Sequence, residues 1–233
     1  MRVDFLPEQF KVAIATSVIV FGFDGENLKL LLSKKVGTPF EGAWIIPSSV
    51  VNTDEETSFV AKELLNRITG RNDWLLEKLN GFADLYRNPV GRVINIAYYC
   101  TVRLDRDLED NLVREKYTWV NVNDIPTLAF DHNEIVTYAK ERLKRRVKRR
   151  PIGFSLLPHE FTMYSIQRLY ECALTKSFDK RNFRRKLLKS QLLIDTGNMV
   201  HSSSRAKRPS RLYMFDEKKY RTLSLKGYDF VYQ

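Results

Sequence analysis

Phe178-Asp179-Lys180-Arg181-Asn182-Phe183-Arg184-Arg185-Lys186-Leu187-Leu188-Lys189 is the stretch that decides how the second half of this chain folds. The spacing predicts a helix, because Phe183 and Leu187 fall on one face and can anchor it to a core. Long hydrogen-bond donors on the outer face of such a helix suit the base edges and phosphates of a DNA major groove. The alternative is an ordinary charged face in contact with solvent. The candidate DNA contacts on this helix are Arg181, Asn182, Arg184, Arg185, Lys186 and Lys189.

The neighbouring sequence predicts a winged helix-turn-helix around this helix. An amphipathic helix is expected over Thr162–Leu174, followed by a short turn through Thr175–Phe178. Two strands, Leu192–Ile194 and Leu212–Phe215, then flank a polar and basic segment that has the composition of a wing tip. Basic side chains there suit phosphate or minor-groove contact, although a plain surface loop is the competing interpretation. Further candidate DNA contacts are Thr162, Lys207, Arg208 and Arg211.

Charge is distributed unevenly along the chain and indicates two domains with different partners. Residues 1–139 hold 15 Lys and Arg against 20 Asp and Glu, whereas residues 140–233 hold 24 against 8. A strongly basic domain suits a polyanion such as nucleic acid, although a basic surface kept for solubility is the alternative. The basic run from Lys144 ends at Pro151, which cannot continue a helix. We therefore expect domains at residues 1–150 and 151–233.

The first domain shows the pattern of an α+β fold. Asp24-Gly25 predicts the turn of a β-hairpin between Val12–Phe23 and Leu28–Ser33. A helix is expected to open at Thr53–Glu56 and to stop at Gly70. Alternating apolar residues predict strands at Val93–Leu104 and Tyr117–Val122. Asp131-His132-Asn133-Glu134 has the spacing of a capping box, and the helix after it places on one stripe Ile135, Ala139, Leu143 and Val147.

Part of this domain resembles the Nudix superfamily, whose motif is G-x5-E-x7-R-E-U-x-E-E-x-G-U on a loop and helix. The resemblance lies in Trp44–Ser49, Glu55 and Ala61–Gly70. It implies an α/β/α sandwich with a mixed sheet. In the family, the carboxylates of the motif bind Mg²⁺ and help to activate water against a pyrophosphate.

The acidic residues of that motif are largely replaced in this chain. Leu64 stands at the glutamate of the Arg-Glu pair, and Arg67 and Ile68 stand at the paired glutamates; a shift by one position puts Asn66 and Arg67 there instead. An arginine among the ligands repels a hard divalent cation. We therefore expect no catalytic residues, no metal site and no cofactor. A Nudix hydrolase acting on ADP-ribose-like substrates is the alternative.

A Nudix fold without its metal site still offers a cavity that can sense a small molecule. The segment Gly81–Arg92 resembles a loop that lies beside bound ADP-ribose or sugar in one branch of the superfamily. Forked arginines suit hydroxyl or phosphate groups, and an aromatic ring can stack on a sugar or base. A solvated turn, a core tryptophan and a histidine that merely neighbours a helix cap are the alternatives. The candidate effector-binding residues are Lys34, Trp44, Asp84, Arg87, Arg92 and His132.

Separated stretches of the whole chain resemble the Nudix-related transcriptional regulators (the NrtR family). They include Gly91–Tyr99, Leu128–His132, Phe161-Thr162, Asp179–Lys186 and Arg208–Tyr213. The resemblance implies a homodimeric repressor that binds double-stranded operator DNA and is released by a small effector. In the family this effector is ADP-ribose or a pentose such as arabinose. Loss of the metal-binding acids favours the neutral sugar, because a pyrophosphate would lack its usual counter-ions.

Composition sets the remaining expectations. Two cysteines, Cys100 and Cys172, are too few for a disulfide framework or a cysteine zinc site. The first residues lack a secretory pattern, and the longest apolar stretch, Val12–Phe23, is too short for the roughly 20 residues of a membrane helix. We therefore expect a cytoplasmic protein that does not span a membrane.

Overall fold

The computed structural model describes residues 11–72, 74–149, 151–201 and 209–225. Two compact units are present, one made of Met1–Gly22 and Lys29–Lys140 and the other of Phe23–Leu28 and Glu141–Gln233. Arg150 lies outside the described residues, and the domain boundary expected there stays a prediction. Within the described part of the chain, no helix combines the length and the apolar character needed to span a membrane.

A seven-stranded sheet forms the centre of the first unit, with the strand order β3-β2-β1-β6-β5. Strand β4 pairs antiparallel with β1, and β7 pairs antiparallel with β2. The predicted hairpin strands and the predicted strand from Val93 are confirmed. The strands are β1 (Ala13–Phe23), β2 (Leu28–Lys34), β3 (Trp44–Ile45), β4 (Ser48–Val51), β5 (Glu77–Phe82), β6 (Val93–Arg103) and β7 (Tyr117–Asn121).

Helices cover both faces of this sheet. Val18 and Val20 of β1 join a core with residues of α1 (Thr57–Thr69) and α2 (Arg106–Arg114). Ile19 is also fully buried although it points to the opposite face, which is the pattern of a strand covered on both sides. On that face the Phe82 ring of β5 contacts Tyr138 of α3 (His132–Arg149), with centroids 5.9 Å apart. The predicted α+β class, with a sheet covered by helices on both faces, is confirmed.

Helix α1 begins four residues later than its sequence predicts. Glu56 is extended at φ −82° and ψ 140°, so the helix starts at Thr57. The Glu55 carboxylate accepts hydrogen bonds from the backbone N–H and side-chain amide of Asn52, at 3.1 and 2.8 Å, and holds these residues in a local turn. The predicted end is correct: Gly70 adopts a left-handed φ of 69° and donates to the Asn66 carbonyl.

Helix α3 carries the predicted buried stripe of Ile135, Ala139, Leu143 and Val147. The capping box expected at Asp131–Glu134 stays a prediction. The Asp131 carboxylate accepts hydrogen bonds from Nε and Nη2 of the Arg87 guanidinium. Backbone bonds from Glu134 and Ile135 to the Asp131 carbonyl begin the helix.

Several short elements carry no strong periodic pattern and were not predicted. The clearest is α2, where the Asp105 carboxylate accepts from the Leu108 N–H at 3.0 Å as an N-cap. Its only buried residues are Leu108 and Leu112, one turn apart. The others are strands β3, β4 and β5, helix α6 (Glu217–Leu225), the short strand Phe161–Thr162 and the 3-10 helix Pro151–Leu156.

The second unit has the predicted order of a winged helix. A short 3-10 helix (Pro151–Leu156) precedes β8 (Phe161–Thr162), α4 (Met163–Leu174), α5 (Lys180–Lys189), β9 (Leu193–Val200), β10 (Ser210–Phe215) and α6. The sheet has the order β8-β10-β9. Strand β9 is longer than the expected Leu192–Ile194, because its pairing with β10 extends to Val200 opposite Ser210. The buried core includes Leu156, Ile166, Leu169, Tyr170, Phe183, Leu187 and Leu192.

Candidate DNA interface and effector site

Helix α5 presents a buried anchor on one side and basic donors on the other. Phe183 and Leu187 are each 1% exposed, and the Phe183 ring lies edge-on to Tyr170 with centroids 5.7 Å apart. Asp179 caps the helix by accepting from the Asn182 N–H at 2.9 Å. The six predicted DNA-contacting residues of this helix are all exposed. The arrangement meets the geometric requirement for a recognition helix.

Two arginines on the exposed face of α5 have partners that orient them. Arg184 donates to the Tyr213 hydroxyl of β10 at 3.4 Å. Arg185 donates to the Asn182 side-chain oxygen at 2.8 Å. Partners of this kind reduce the rotamer freedom that these long side chains lose on binding. Sequence reasoning missed the buried Tyr213 as the partner of Arg184, because it lies 29 positions after Arg184.

The remaining predicted DNA contacts have different environments. Thr162 caps α4 through a reciprocal capping box with Ser165, so its hydroxyl has a structural partner. Arg211 on the wing forms an ion pair with Asp195 at 2.8 Å. A hydrogen bond from the Gly197 N–H and the bond from Arg211 lower the pKa of the Asp195 carboxyl. Lys207 and Arg208 lie outside the described residues.

Arg87, one of the candidate effector-binding residues, is the centre of a buried ion pair. Its Nε and Nη2 atoms donate to the two Asp131 carboxylate oxygens at 2.8 and 2.6 Å. The side chains of Arg87 and Asp131 are only 5% and 13% exposed. The pair therefore ties the segment before β6 to the start of α3, and Asp131 is a residue that sequence reasoning did not place in the site.

Trp44, Lys34 and His132 are brought together by strand β3. The Lys34 ammonium lies 3.7 Å from the centroid of the Trp44 ring, a cation–π geometry. The Trp44 carbonyl accepts from the Ala129 N–H at 2.8 Å, and Ile46 N–H donates to Nδ1 of the buried His132 at 3.3 Å. These bonds hold β3 against the residues that lead into α3.

The other two candidates lie on the segment 83–92. Arg92 donates to the Ala83 carbonyl at 2.7 Å and thereby braces this segment across its base. Asp84 is exposed, and its carbonyl accepts from the Arg87 N–H at 3.4 Å. The structure thus joins Arg87 to Asp131, the residue that precedes His132, and places the Lys34 ammonium over the Trp44 ring. Asp84, in contrast, lies at the surface. The effector-binding role of all six residues stays a prediction.

His132 provides a pH-dependent test of this cluster. Burial, with a smaller contribution from the Arg87 charge, lowers its pKa to about 4 against the opposing effect of Asp131. The His132 imidazole therefore takes up a proton near pH 6.5 in the unfolded chain but only near pH 4 in the folded chain. The free energy of unfolding is expected to fall by about 3 kcal/mol as pH is lowered through this window.

The measurement for His132 is urea unfolding followed by tryptophan fluorescence at pH 7 and pH 4.5. His132→Asn keeps an acceptor near the position of Nδ1 but cannot titrate, so its loss of stability over this range should be smaller by most of that amount. An equal loss in both proteins would contradict the assignment.

The face of α1 that carries the Nudix resemblance mixes basic and acidic side chains. Lys62, Glu63 and Arg67 are exposed on it, and Glu55 is engaged with Asn52. Among the described residues, no group of three or more His, Cys, Asp or Glu side chains is placed to hold a metal ion.

Comparison with known proteins finds similarity for both units of the chain. Residues 153–215 match the family model of the NrtR DNA-binding winged helix domain. The chain is also similar over 99% of its length to the ADPR responsive transcriptional repressor NtrR of Acinetobacter baylyi, with 26% identity and 94% of that protein covered. The predicted resemblance is confirmed.

Two further similarities concern the fold and the first unit. The crystal structure of Shewanella oneidensis NrtR complexed with a 27mer DNA matches 87% of this chain and 93% of its own, with a TM-score of 0.74 and 24% identity. The ADP-ribose pyrophosphatase of Methanocaldococcus jannaschii is 26% identical over 55% of this chain and 76% of its own length. These similarities support a Nudix-like domain followed by a winged helix.

Proposed function

We propose that this chain, an NrtR-like DNA-binding transcriptional regulator with a Nudix-like domain, is a repressor that ADP-ribose releases from its operator. The observation that carries the DNA-binding part is α5, which joins a buried Phe183–Leu187 anchor to an exposed row of donors within a unit that matches the NrtR winged helix model. A regulator of this kind works where the chromosome lies, which in a bacterium is the cytoplasm.

ADP-ribose is the effector that the similarities support. The Acinetobacter baylyi relative is described as ADPR responsive, and the archaeal relative as an ADP-ribose pyrophosphatase. Neither description supports the neutral pentose that the loss of acidic residues favoured. Arg92 and Lys34 supply positive charge near Trp44 and the 83–92 segment, which suits a diphosphate without a metal ion.

A homodimer is proposed as the operator-binding form. The resemblance to NrtR regulators implies it, and a twofold-symmetric protein recognises a pseudo-palindromic operator with one α5 helix for each half-site. The buried Arg87 and Asp131 side chains link the proposed effector site to α3, which begins in the first unit and ends in the second.

The proposed function is tested with DNA that the protein itself selects. The wild-type chain is used to enrich duplexes from a random-sequence pool, and the enriched DNA is here called the selected duplex. Fluorescence anisotropy should show tight binding to the selected duplex and its loss when ADP-ribose is added. Release by arabinose but not by ADP-ribose would contradict ADP-ribose as the effector. Failure of the pool to enrich any sequence would contradict sequence-specific DNA binding.

Hydrolysis of ADP-ribose-like nucleoside diphosphates is the second candidate function, favoured by the similarity to the archaeal pyrophosphatase. Mg²⁺-dependent formation of AMP from ADP-ribose would support it. We expect no turnover, because Asn66 and Arg67 stand where the motif requires paired acids. If turnover occurs and Glu63→Gln abolishes it, the enzyme assignment replaces the sensor.

Arg184 is expected to read a base in the selected duplex. Arg184→Ala should weaken binding to that duplex by about 1–3 kcal/mol, with a much smaller effect on random-sequence DNA. Lys207→Ala is the comparison, because a phosphate contact should weaken both DNAs similarly and lower the salt dependence by about one unit. An equal loss on both DNAs for Arg184→Ala would assign Arg184 to the phosphate backbone instead.

A further inference from the structure

Both polar groups of Phe178, which lies in the turn between α4 and α5, are bound by side chains of α4. Its N–H donates to the Glu171 carboxylate at 3.0 Å. Its carbonyl accepts from the Gln167 amide at 2.9 Å, and the same amide also donates to Glu171 at 3.0 Å. A backbone unit held at both its donor and its acceptor has little freedom to rotate.

The side chains of Gln167 and Glu171, together with the Phe178 backbone that they bind, are here called the clamp. The clamp lies immediately before the recognition helix α5. Phe178 precedes Asp179, the N-cap of α5, so fixing its peptide fixes the point at which α5 begins. The Phe178 ring also packs against Phe183, with centroids 5.7 Å apart. The start of the helix and its buried anchor are therefore set by one local arrangement.

The environment of the clamp makes its bonds strong. Gln167 is 7% exposed, and a buried amide that loses its partners is costly. Arg168 adds a charge-assisted bond to the second oxygen of Glu171 at 3.0 Å. Burial raises the pKa of Glu171, but the bonds from Gln167, Phe178 and Arg168 outweigh it and leave the pKa below its usual value. Glu171 is thus held as a carboxylate.

Arg168 is itself oriented by a second anchor in the same unit. Its Nη2 atom donates to the Glu26 carbonyl at 3.2 Å, and the Glu26 carboxylate accepts from the Tyr164 hydroxyl at 2.8 Å. Residues 23–28 belong to the unit that contains α4 and α5. The guanidinium is therefore directed towards Glu171 from one side and held by Glu26 on the other.

We infer that Glu171 and Gln167 are positioning residues for DNA reading: they touch no DNA but set the angle at which α5 presents its donors. The inference rests on the proposed DNA binding. A helix that is displaced by about 1 Å loses base contacts that depend on two-point geometry, whereas contacts to phosphates tolerate the shift. The clamp should therefore control specificity more than total affinity.

Glu171→Gln tests this inference, because electrostatics and the positioning role predict opposite changes in affinity for the selected duplex. The substitution removes a negative charge, so electrostatics alone would strengthen binding to any DNA. We expect the opposite on the selected duplex, a loss of about tenfold or more, with binding to random-sequence DNA unchanged or slightly stronger. Glu217→Gln is the matched control, since it makes the same charge change on α6, where Glu217 pairs only one turn away with Arg221. This control should not lose affinity for the selected duplex.

Gln167→Met keeps the inference testable if Glu171→Gln folds poorly. Methionine preserves the length and packing of the side chain but removes both amide bonds. It should lower the affinity for the selected duplex relative to the affinity for random-sequence DNA. Circular dichroism and the melting temperature should show that the variant is folded. Variants that are folded and retain the wild-type ratio, or that lose both affinities equally, would overturn the positioning role. Failure of the wild-type chain to bind the selected duplex would instead refute the proposed function.

Discussion

Arg87→Met should lower the free energy of unfolding of the first unit by about 3–5 kcal/mol, the cost of leaving one member of a buried ion pair without its partner. The Arg87 side chain is 5% exposed and Asp131 is 13% exposed, so water can replace the lost bonds only in part. Trp44, Trp74 and Trp119 all lie in the first unit, which makes tryptophan fluorescence in urea a direct readout of its unfolding.

Arg92→Met is the matched control for this prediction. Arg92 lies on the same segment, but it donates to the Ala83 carbonyl in an exposed setting, so its loss should cost no more than about 1 kcal/mol. The double variant Arg87→Met with Asp131→Leu should recover much of the stability, because no buried charge is then left unpaired. Equal and small effects of Arg87→Met and Arg92→Met would show that the ion pair does not hold the segment to α3.

Phe183→Ala should destabilise the second unit by about 3–5 kcal/mol, through lost burial and the cavity left behind. The ring is 1% exposed and contacts both Tyr170 and Phe178, so α4 and the turn before α5 lose their common neighbour. Binding to the selected duplex should fall along with hydrogen-exchange protection in α4 and α5. Hydrogen exchange read by mass spectrometry distinguishes this local loss from unfolding of the first unit.

Leu188→Ala serves as the control on the same helix. Leu188 is 41% exposed, so its truncation should change stability by less than about 1 kcal/mol and leave DNA binding close to wild type. If Leu188→Ala proved as damaging as Phe183→Ala, the assignment of buried and exposed faces on α5 would be wrong.

The parts of the fold that were predictable are those whose signals are local. The helix α5 and its faces follow from Asp179, Phe183 and Leu187, which all lie within nine residues. The stripe of α3 and the stop of α1 at Gly70 are equally local patterns. Helix α2 was missed because its nine residues are mostly charged and only Leu108 and Leu112 are buried, although the Asp105 cap was a usable signal.

The connections within the candidate sites were not predictable from local patterns. Asp131 has the spacing of a helix cap, and nothing near it reveals that Arg87, 44 positions earlier, occupies its carboxylate. In the same way, Glu171 resembles an ordinary polar residue of an amphipathic helix. Its bond to the Phe178 N–H depends on how the turn between α4 and α5 folds back. Such partners are chosen by tertiary structure, which a single sequence does not display.

We propose that ADP-ribose and operator DNA each weaken the binding of the other to this protein. Calorimetric titration of ADP-ribose tests this proposal most directly. ADP-ribose is titrated into the free protein and into protein saturated with the selected duplex. Because coupling between two sites is reciprocal, ADP-ribose should bind the DNA complex more weakly, by the factor with which it weakens DNA binding, here expected to be about tenfold or more. Equal ADP-ribose affinity in the two titrations, or no binding in either, would contradict the account.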